Sequence, residues 1–256
     1  KLIMFCISVF RNQCFSSLPL QDLVKYGSFF GRNPVHTVMR NPPSHPEIAV
    51  VFHGAEETNA ASSQWHTNST IWHSDVSYEN QPPGTTFLYH LQGPPCGGDT
   101  LFVNQGAAFR RLSPAFQQFL RPLRAVHSGL EQAQDSQARG FSCRRDPIQT
   151  ALLIVRTRPV TGEEALYVNP LFTRYILGLK TEESQVILGF LFNHITSSPN
   201  IQCRVTWEQG TTIVYDDRVT AHTGIFDFAD GQLRHLARLT PQAEVPFHLL
   251  SSSINE

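Results

Sequence analysis

The 256-residue chain has little that would tie it to a membrane, a nucleic acid or an oxidising compartment. Charged residues make up only 16%, and the two signs nearly cancel to a formal net charge of −1, with a pI near 6.9. A nucleic-acid binder would need a basic face and a peripheral membrane protein a polybasic patch, and the sequence offers neither. No apolar run approaches the ~20 residues that span a bilayer. Cysteine is sparse: Cys6, Cys14, Cys96, Cys143 and Cys203 are odd in number, scattered and without a CxxC. A disulfide framework and a zinc finger both lack support, and free thiols in a reducing, cytoplasmic setting are expected. There are no internal repeats and no low-complexity tracts. The chain opens on Lys1 rather than Met, so missing N-terminal residues are expected. Its apolar start, Leu2 to Ile7, lacks the cleavage pattern of a signal peptide and reads as a buried strand.

What is present suits one large domain over residues 1–256. Hydrophobic residues are 41% of the chain, enough for a real core. Helical spacing of Leu20, Leu23 and Val24 predicts a helix over 18–31. Ser113-Pro114 starts a second over 114–121, with Ser as N-cap and Pro at the first helical position. A third is expected over 181–195, capped by Thr181, with Glu182 and Glu183 in its first turn and Val186, Ile187, Phe190 and Leu191 on one face. Strands are expected over 48–53, 85–91, 151–156 and 165–168. Two hairpins are expected, one pairing 202–207 with 211–215 around Gly210, the other pairing 219–228 with 233–240 around Asp230-Gly231. Residues 54–71 read as a loop. Residues 128–150 are polar and aperiodic, and read as a mobile insertion that could serve as a lid. Many short strands and few helices point to a mainly β sandwich or jelly roll with helical insertions.

The first chemically informative motif is Trp72-His73-Ser74-Asp75. In an extended segment residues i and i+2 share a face, so His73 and Asp75 can converge on one ion. A distant third histidine would complete a two-His, one-carboxylate triad with open metal positions, the pattern of non-haem Fe(II) oxygenases. Alone the motif is weak, because eleven histidines make a chance HxD unsurprising. Its context is Gly97-Gly98-Asp99-Thr100, Val168-Asn169 with Phe172-Thr173, Asp216 through His222, and then Arg234 and Arg238. With these stretches the chain resembles, from about Val9 to Phe247, the taurine dioxygenase family of Fe(II)/2-oxoglutarate-dependent oxygenases.

The resemblance implies a double-stranded β-helix (jelly roll) core, with His73, Asp75 and His222 as iron ligands and 2-oxoglutarate and O2 as cosubstrates. It implies that Thr100 and Arg234 hold the distal carboxylate of 2-oxoglutarate, and a hydroxyl with a guanidinium fork suits a buried carboxylate. On a strand Arg234, Leu236 and Arg238 share a face, and two inward arginines call for two anions. Arg238 is therefore expected at the cosubstrate or substrate anion, or else paired with an internal acid such as Asp216 or Asp217. By resemblance Val76, Phe172 and His36 are further substrate-pocket positions, while Val76 and Phe172 read from the residues alone are equally core. Trp207 and Tyr215 are expected to pack beneath the metal, Arg218 to support the site through a polar network, and His127 to be structural.

The implied reaction is hydroxylation of a small, anionic substrate with release of succinate and CO2. An alkyl sulfonate such as taurine, losing sulfite and an aldehyde, is the leading substrate class. An amino acid, alkyl sulfate, aryloxyalkanoate or specialised-metabolite intermediate is the alternative, and a catalytically silent ligand-binding jelly roll is a reading of another class. Relatives of this kind are often dimers or tetramers. The chain departs from taurine-oxidising relatives at Ser69 (Asn there), at Tyr215 (Trp there), across 128–150, and in Leu152 to Pro159, where flanking histidines are lacking. These departures leave the iron chemistry intact and bear on the substrate.

Overall fold

In the computed structural model, residues 6–54 and 71–249 are described. The strands are β1 (Ile7–Phe10), β2 (Ala49–His53), β3 (Thr85–Gln92), β4 (Thr100–Asn104), β5 (Arg124–Ser128), β6 (Gln149–Leu153), β7 (Val155–Thr157), β8 (Glu164–Leu166), β9 (Thr173–Ile176), β10 (Gln202–Val205), β11 (Thr212–Asp216), β12 (Thr220–Gly224) and β13 (Arg234–Leu239). The α-helices are α1 (Leu20–Ser28), α2 (Gln105–Arg110), α3 (Pro114–Leu120), α4 (Leu130–Ala138) and α5 (Thr181–Thr196).

Two sheets face each other. The major sheet has the order β1-β11-β3-β13-β2 and the minor one β10-β4-β12, with antiparallel neighbours throughout. Side chains from both meet between them: Leu88, Ile213, Tyr215 and Leu236 of the major sheet pack on Phe102 and Val205 of the minor one. The period-2 alternation of strands does the rest. Phe87, Tyr89, Ala237 and Leu239 point the other way and are covered by Leu23 of α1. The outer face of the minor sheet, with Val103 and Ala221, is covered by Leu188, Leu191 and Ile195 of α5. Truncating a fully buried residue here, such as Leu191, costs about 2–5 kcal/mol through lost transfer energy and the cavity left behind. The chain is thus mainly β with helical insertions, a double-stranded β-helix.

Two expectations need correction. Neither proposed hairpin forms. β10 pairs with β4 in the minor sheet while β11 pairs with β1 and β3 in the major one. Likewise β12 pairs with β4 and β13 with β2 and β3. The turn signals are real, since Gly210 and Gly231 both take positive φ. A turn reverses the chain but does not choose the partner strand; in a jelly roll successive strands cross between sheets. The third helix is also shifted. Its N-cap is Lys180, whose N–H donates to Glu183 at 2.9 Å. Its buried face is Ser184, Leu188, Leu191 and Ile195, leaving Val186 and Phe190 exposed.

Other expectations land closer. α3 has Ser113 as N-cap, accepting from Phe116 N–H. The N-terminal strand begins at Ile7, with residues 1–5 outside the described region; most of the 54–71 loop, with Ser69, lies outside it too. The predicted 151–156 strand is divided between β6 and β7. Within 128–150 the chain forms α4, followed by a segment fastened to residues 33–41. Arg144 bonds Asn41, its N–H donates to Thr37 O, and Arg145 reaches Val35 O and pairs with Glu79. Among the described residues no helix is long and apolar enough to cross a membrane.

Candidate metal centre

His73 and His222 are opposed in an isolated antiparallel bridge between the 71–79 segment and β12. They exchange both backbone bonds, His73 N–H to His222 O at 3.0 Å and His222 N–H to His73 O at 2.8 Å. Directly opposed residues put their side chains on the same face, and the rings lie 4.3 Å apart. Asp75, two residues on from His73, joins them. Its Oδ1 is 3.6 Å from His73 Nε2 and 3.7 Å from His222 Nε2. One donor atom from each residue falls within 4.8 Å of the others, the sole such group of three among the described residues. His73 Nδ1 lies 2.8 Å from Ile71 O, which makes Nδ1 the protonated nitrogen and turns the Nε2 lone pair toward the site. Burial, followed by the neighbouring His73, pushes the His222 pKa well down, so its ring is neutral and able to ligate. That ring is wedged between Phe102 and Tyr215.

The Asp75 carboxylate is fully buried. Oδ2 is taken up by two donors, Tyr215 OH at 2.7 Å and Thr86 Oγ1 at 3.0 Å. Thr86 and Tyr215 are themselves cross-strand partners of β3 and β11. With Oδ2 occupied by these two donors, Oδ1 is the oxygen that faces both histidines. Burial opposes the charge of Asp75, but the Arg238 guanidinium beside it holds the carboxyl well below its usual range. Asp217 stands behind, its Oδ1 accepting Asp75 N–H at 2.9 Å and its Oδ2 2.6 Å from Thr86 Oγ1. A threonine hydroxyl has one hydrogen, so it cannot donate to both acids. Burial and the charge of Asp75 push Asp217 well above the ordinary carboxyl range, which makes Asp217 the protonated member. Sequence reasoning missed Thr86 and the Tyr215 hydroxyl bond. An apolar-looking strand gives no sign of which hydroxyl points at a metal ligand.

A second polar cluster lies alongside. Gly97 and Gly98 both take positive φ. Gly98 N–H donates to Asp227 and Gly98 O accepts Arg234 Nε at 2.8 Å. A Cβ on Gly98 would approach the Arg234 side chain at 3.3 Å, so glycine lets backbone and guanidinium meet. Arg234 Nη2 reaches Thr100 Oγ1 at 3.3 Å, and Trp207 Nε1 donates to the same oxygen at 3.1 Å. Arg234 is buried yet makes no ion pair among the described residues, since Asp99 is engaged by Arg204. Burial drives its pKa down to about 10. A buried guanidinium without a carboxylate is costly, and an incoming anion would offset that cost.

The remaining expected positions are also placed. Arg238 is buried and donates from Nη1 to Asp75 Oδ1 at 2.5 Å. The pairing with an internal acid is present, but the acid is Asp75 rather than the Asp216 or Asp217 offered as examples. His36 is buried and its Nδ1 accepts the N–H groups of Val38 and Met39, each at 3.2 Å. Its Nε2 therefore carries the proton of a neutral ring, and burial, then Arg238, keeps that ring neutral. Val76 and Phe172 sit in one buried cluster, and the Phe172 ring meets the His73 ring edge-on at 5.9 Å. Val76 has φ +38°, a strained conformation for a β-branched residue and one often retained beside a functional group. Arg218 is tied to Asp216 and Glu244. His127 is wholly buried, its Nδ1 2.9 Å from Ser77 Oγ.

The profile of the taurine catabolism dioxygenase TauD, TfdA family matches residues 5–240. This chain belongs to the TauD, TfdA family. An alpha-ketoglutarate-dependent sulfonate dioxygenase of Saccharomyces cerevisiae is 40% identical, over 94% of this chain and 58% of its own length. The alpha-ketoglutarate-dependent dioxygenase cnsM of Penicillium expansum is 38% identical over 93% of this chain and 68% of its own. A solved taurine dioxygenase from Burkholderia xenovorans superposes with a TM-score of 0.75 at 29% identity, covering 95% of this chain and 78% of that one. The chain thus spans little more than half the length of the Saccharomyces relative.

Proposed function

We propose that this TauD, TfdA family chain is an Fe(II)- and 2-oxoglutarate-dependent dioxygenase that hydroxylates a small anionic substrate, with an alkyl sulfonate as the leading class. The observation carrying this reading is the pairing of two features. His73, Asp75 and His222 bring three metal-ligating atoms within 4.8 Å, and Arg234 is buried beside Thr100 without an acid. The donor set of two imidazoles and one carboxylate suits Fe(II) and leaves positions open. Fe(II), 2-oxoglutarate and O2 together would supply the oxidising chemistry, with succinate and CO2 as co-products.

The chain's own residues supply geometry and charge. His73 Nε2, Asp75 Oδ1 and His222 Nε2 would hold the metal. Thr100 and Arg234 would bind the distal carboxylate of 2-oxoglutarate. Arg238 and the Nε2–H of His36 would bind the substrate anion, with Val76 and Phe172 excluding water around the reacting carbon. With a sulfonate, hydroxylation of the carbon bearing sulfur releases sulfite and leaves an aldehyde. The five free cysteines fit a reducing, cytoplasmic setting. The 128–150 segment, bonded to residues 33–41 through Arg144 and Arg145, would serve as a lid, and the chain would assemble as a homodimer or tetramer.

The decisive experiment incubates the protein with Fe(II), 2-oxoglutarate and a panel of alkyl sulfonates, alkyl sulfates, amino acids and aryloxyalkanoates, following succinate and sulfite. Sulfonate-dependent release of both supports the full reading. Succinate with another substrate class keeps the oxygenase and replaces the sulfonate. No Fe(II) binding by calorimetry in reducing buffer would leave a silent ligand-binding jelly roll.

A further inference from the structure

Arg238 has an unusual set of neighbours. Its Nη1 donates to Asp75 Oδ1 at 2.5 Å, its Nη2 donates to Met39 Sδ at 3.2 Å, and its Nε is buried without a partner. The oxygen it holds is the one that faces His73 and His222. The other contact is a thioether, which accepts hydrogen bonds only weakly and carries no charge. Met39 is itself fixed in place. Its N–H is bonded to His36 Nδ1, and the next residue, Arg40, is bridged to Val50 of β2. One short turn therefore carries both His36 and Met39 to the same guanidinium.

We propose that Met39 is a positioning residue for Arg238: its neutral thioether seats Nη2 of the guanidinium without adding a second negative charge beside Asp75, so that the substrate anion is not repelled. The inference rests on the reading of Arg238 as an anion-binding residue and adds what keeps it available. A carboxylate at this position would add a second anion beside Asp75, leave the guanidinium overcompensated and repel the substrate anion. A branched aliphatic side chain would leave Nη2 without an acceptor in a buried setting. An unbranched, polarizable thioether can yield its hydrogen bond when the anion arrives and pack on the attached carbon chain.

The test uses calorimetry on the anaerobic protein loaded first with Fe(II), then with 2-oxoglutarate, then with butane-1-sulfonate, butyl sulfate or pentanoate as probe. The variants are Met39→Glu, Met39→Leu and Met39→Gln. Fe(II) and 2-oxoglutarate binding should stay within ~3-fold of the native chain in all three. Met39→Glu should weaken the preferred anion by at least ~30-fold, Met39→Leu by ~3- to 10-fold, and Met39→Gln, an uncharged acceptor of similar length, by less than ~3-fold. In turnover the Leu variant should raise KM and leave kcat near native. Anion binding by Met39→Glu within ~3-fold of native overturns the proposal. So does a native chain that binds Fe(II) and 2-oxoglutarate but none of the three anions, and that result leaves the oxygenase reading standing. Failure of the native chain to bind Fe(II) is separate and sinks the proposed function itself. Should Met39→Glu not fold, the Leu-against-Gln contrast decides, and equal affinity of those two overturns the proposal.

Discussion

Arg238 and Asp75 form a fully buried ion pair through the same carboxylate oxygen that faces His73 and His222. A metal and the guanidinium therefore draw on one oxygen. Removing the anion leaves a buried cation uncompensated, which typically costs about 3–5 kcal/mol. Asp75→Asn is expected to lower the stability of the metal-free chain by roughly that amount and to abolish Fe(II) binding. Urea denaturation and calorimetry check the two effects, and an Asn variant as stable as native would show that the pair is absent in solution.

The Tyr215 hydroxyl offers a subtler test. It is fully buried, and burial with the charge of Asp75 pushes its pKa well up, so it stays a donor to Asp75 Oδ2. Partners that orient metal-binding carboxylates are commonly worth 10- to 100-fold in metal affinity. Tyr215→Phe should weaken Fe(II) binding by about 10-fold while the KM for 2-oxoglutarate changes little. A change confined to 2-oxoglutarate would place the hydroxyl elsewhere.

Thr100 and Arg234 should act on the cosubstrate alone. Hydrogen bonds to charged groups contribute about 1.5–3 kcal/mol. Thr100→Val is expected to raise the KM for 2-oxoglutarate by about 10-fold and Arg234→Gln by about 100-fold, with Fe(II) affinity near native. Equal loss of metal and cosubstrate binding would count against the assignment.

His127 sets part of the acid limit. Burial pulls its pKa down to about 3 from an ordinary 6.5. Between those values the unfolded chain takes up a proton that the folded chain refuses. Its contribution to stability is whole above about pH 6.5 and falls by roughly 1.4 kcal/mol per unit toward pH 3. His127→Asn should flatten that part of the profile, measured as denaturation midpoints from pH 7 to pH 4. An unchanged slope would mean the imidazole is accessible.

Some residues were legible because their chemistry is local. The His73-Asp75 pair is suggested by the two-residue period of an extended chain, and Gly97-Gly98-Asp99-Thr100 by its likeness to the family's motif. The Ser113-Pro114 helix start is equally local, because its cap bonds only the next turn. Tyr215 was harder. It read as packing, and its hydroxyl became meaningful only when β11 was aligned with β3, setting it opposite Thr86. The paired strands of β10 to β13 failed for the same reason, since the turn residues are near in sequence and the partners are not.

The sequence by itself determined the mainly β class, the His73-Asp75 pair and the shared face of Arg234 and Arg238, because side-chain chemistry and strand periodicity are written residue by residue; His222 and the double-stranded class came with the family resemblance of its motifs. The tertiary structure alone decided that Arg238 pairs with Asp75, that Met39 seats the guanidinium, and that Asp217 and Thr86 back the carboxylate. Those contacts join residues 11 to 199 positions apart, and only the folding of two sheets onto each other brings them within reach.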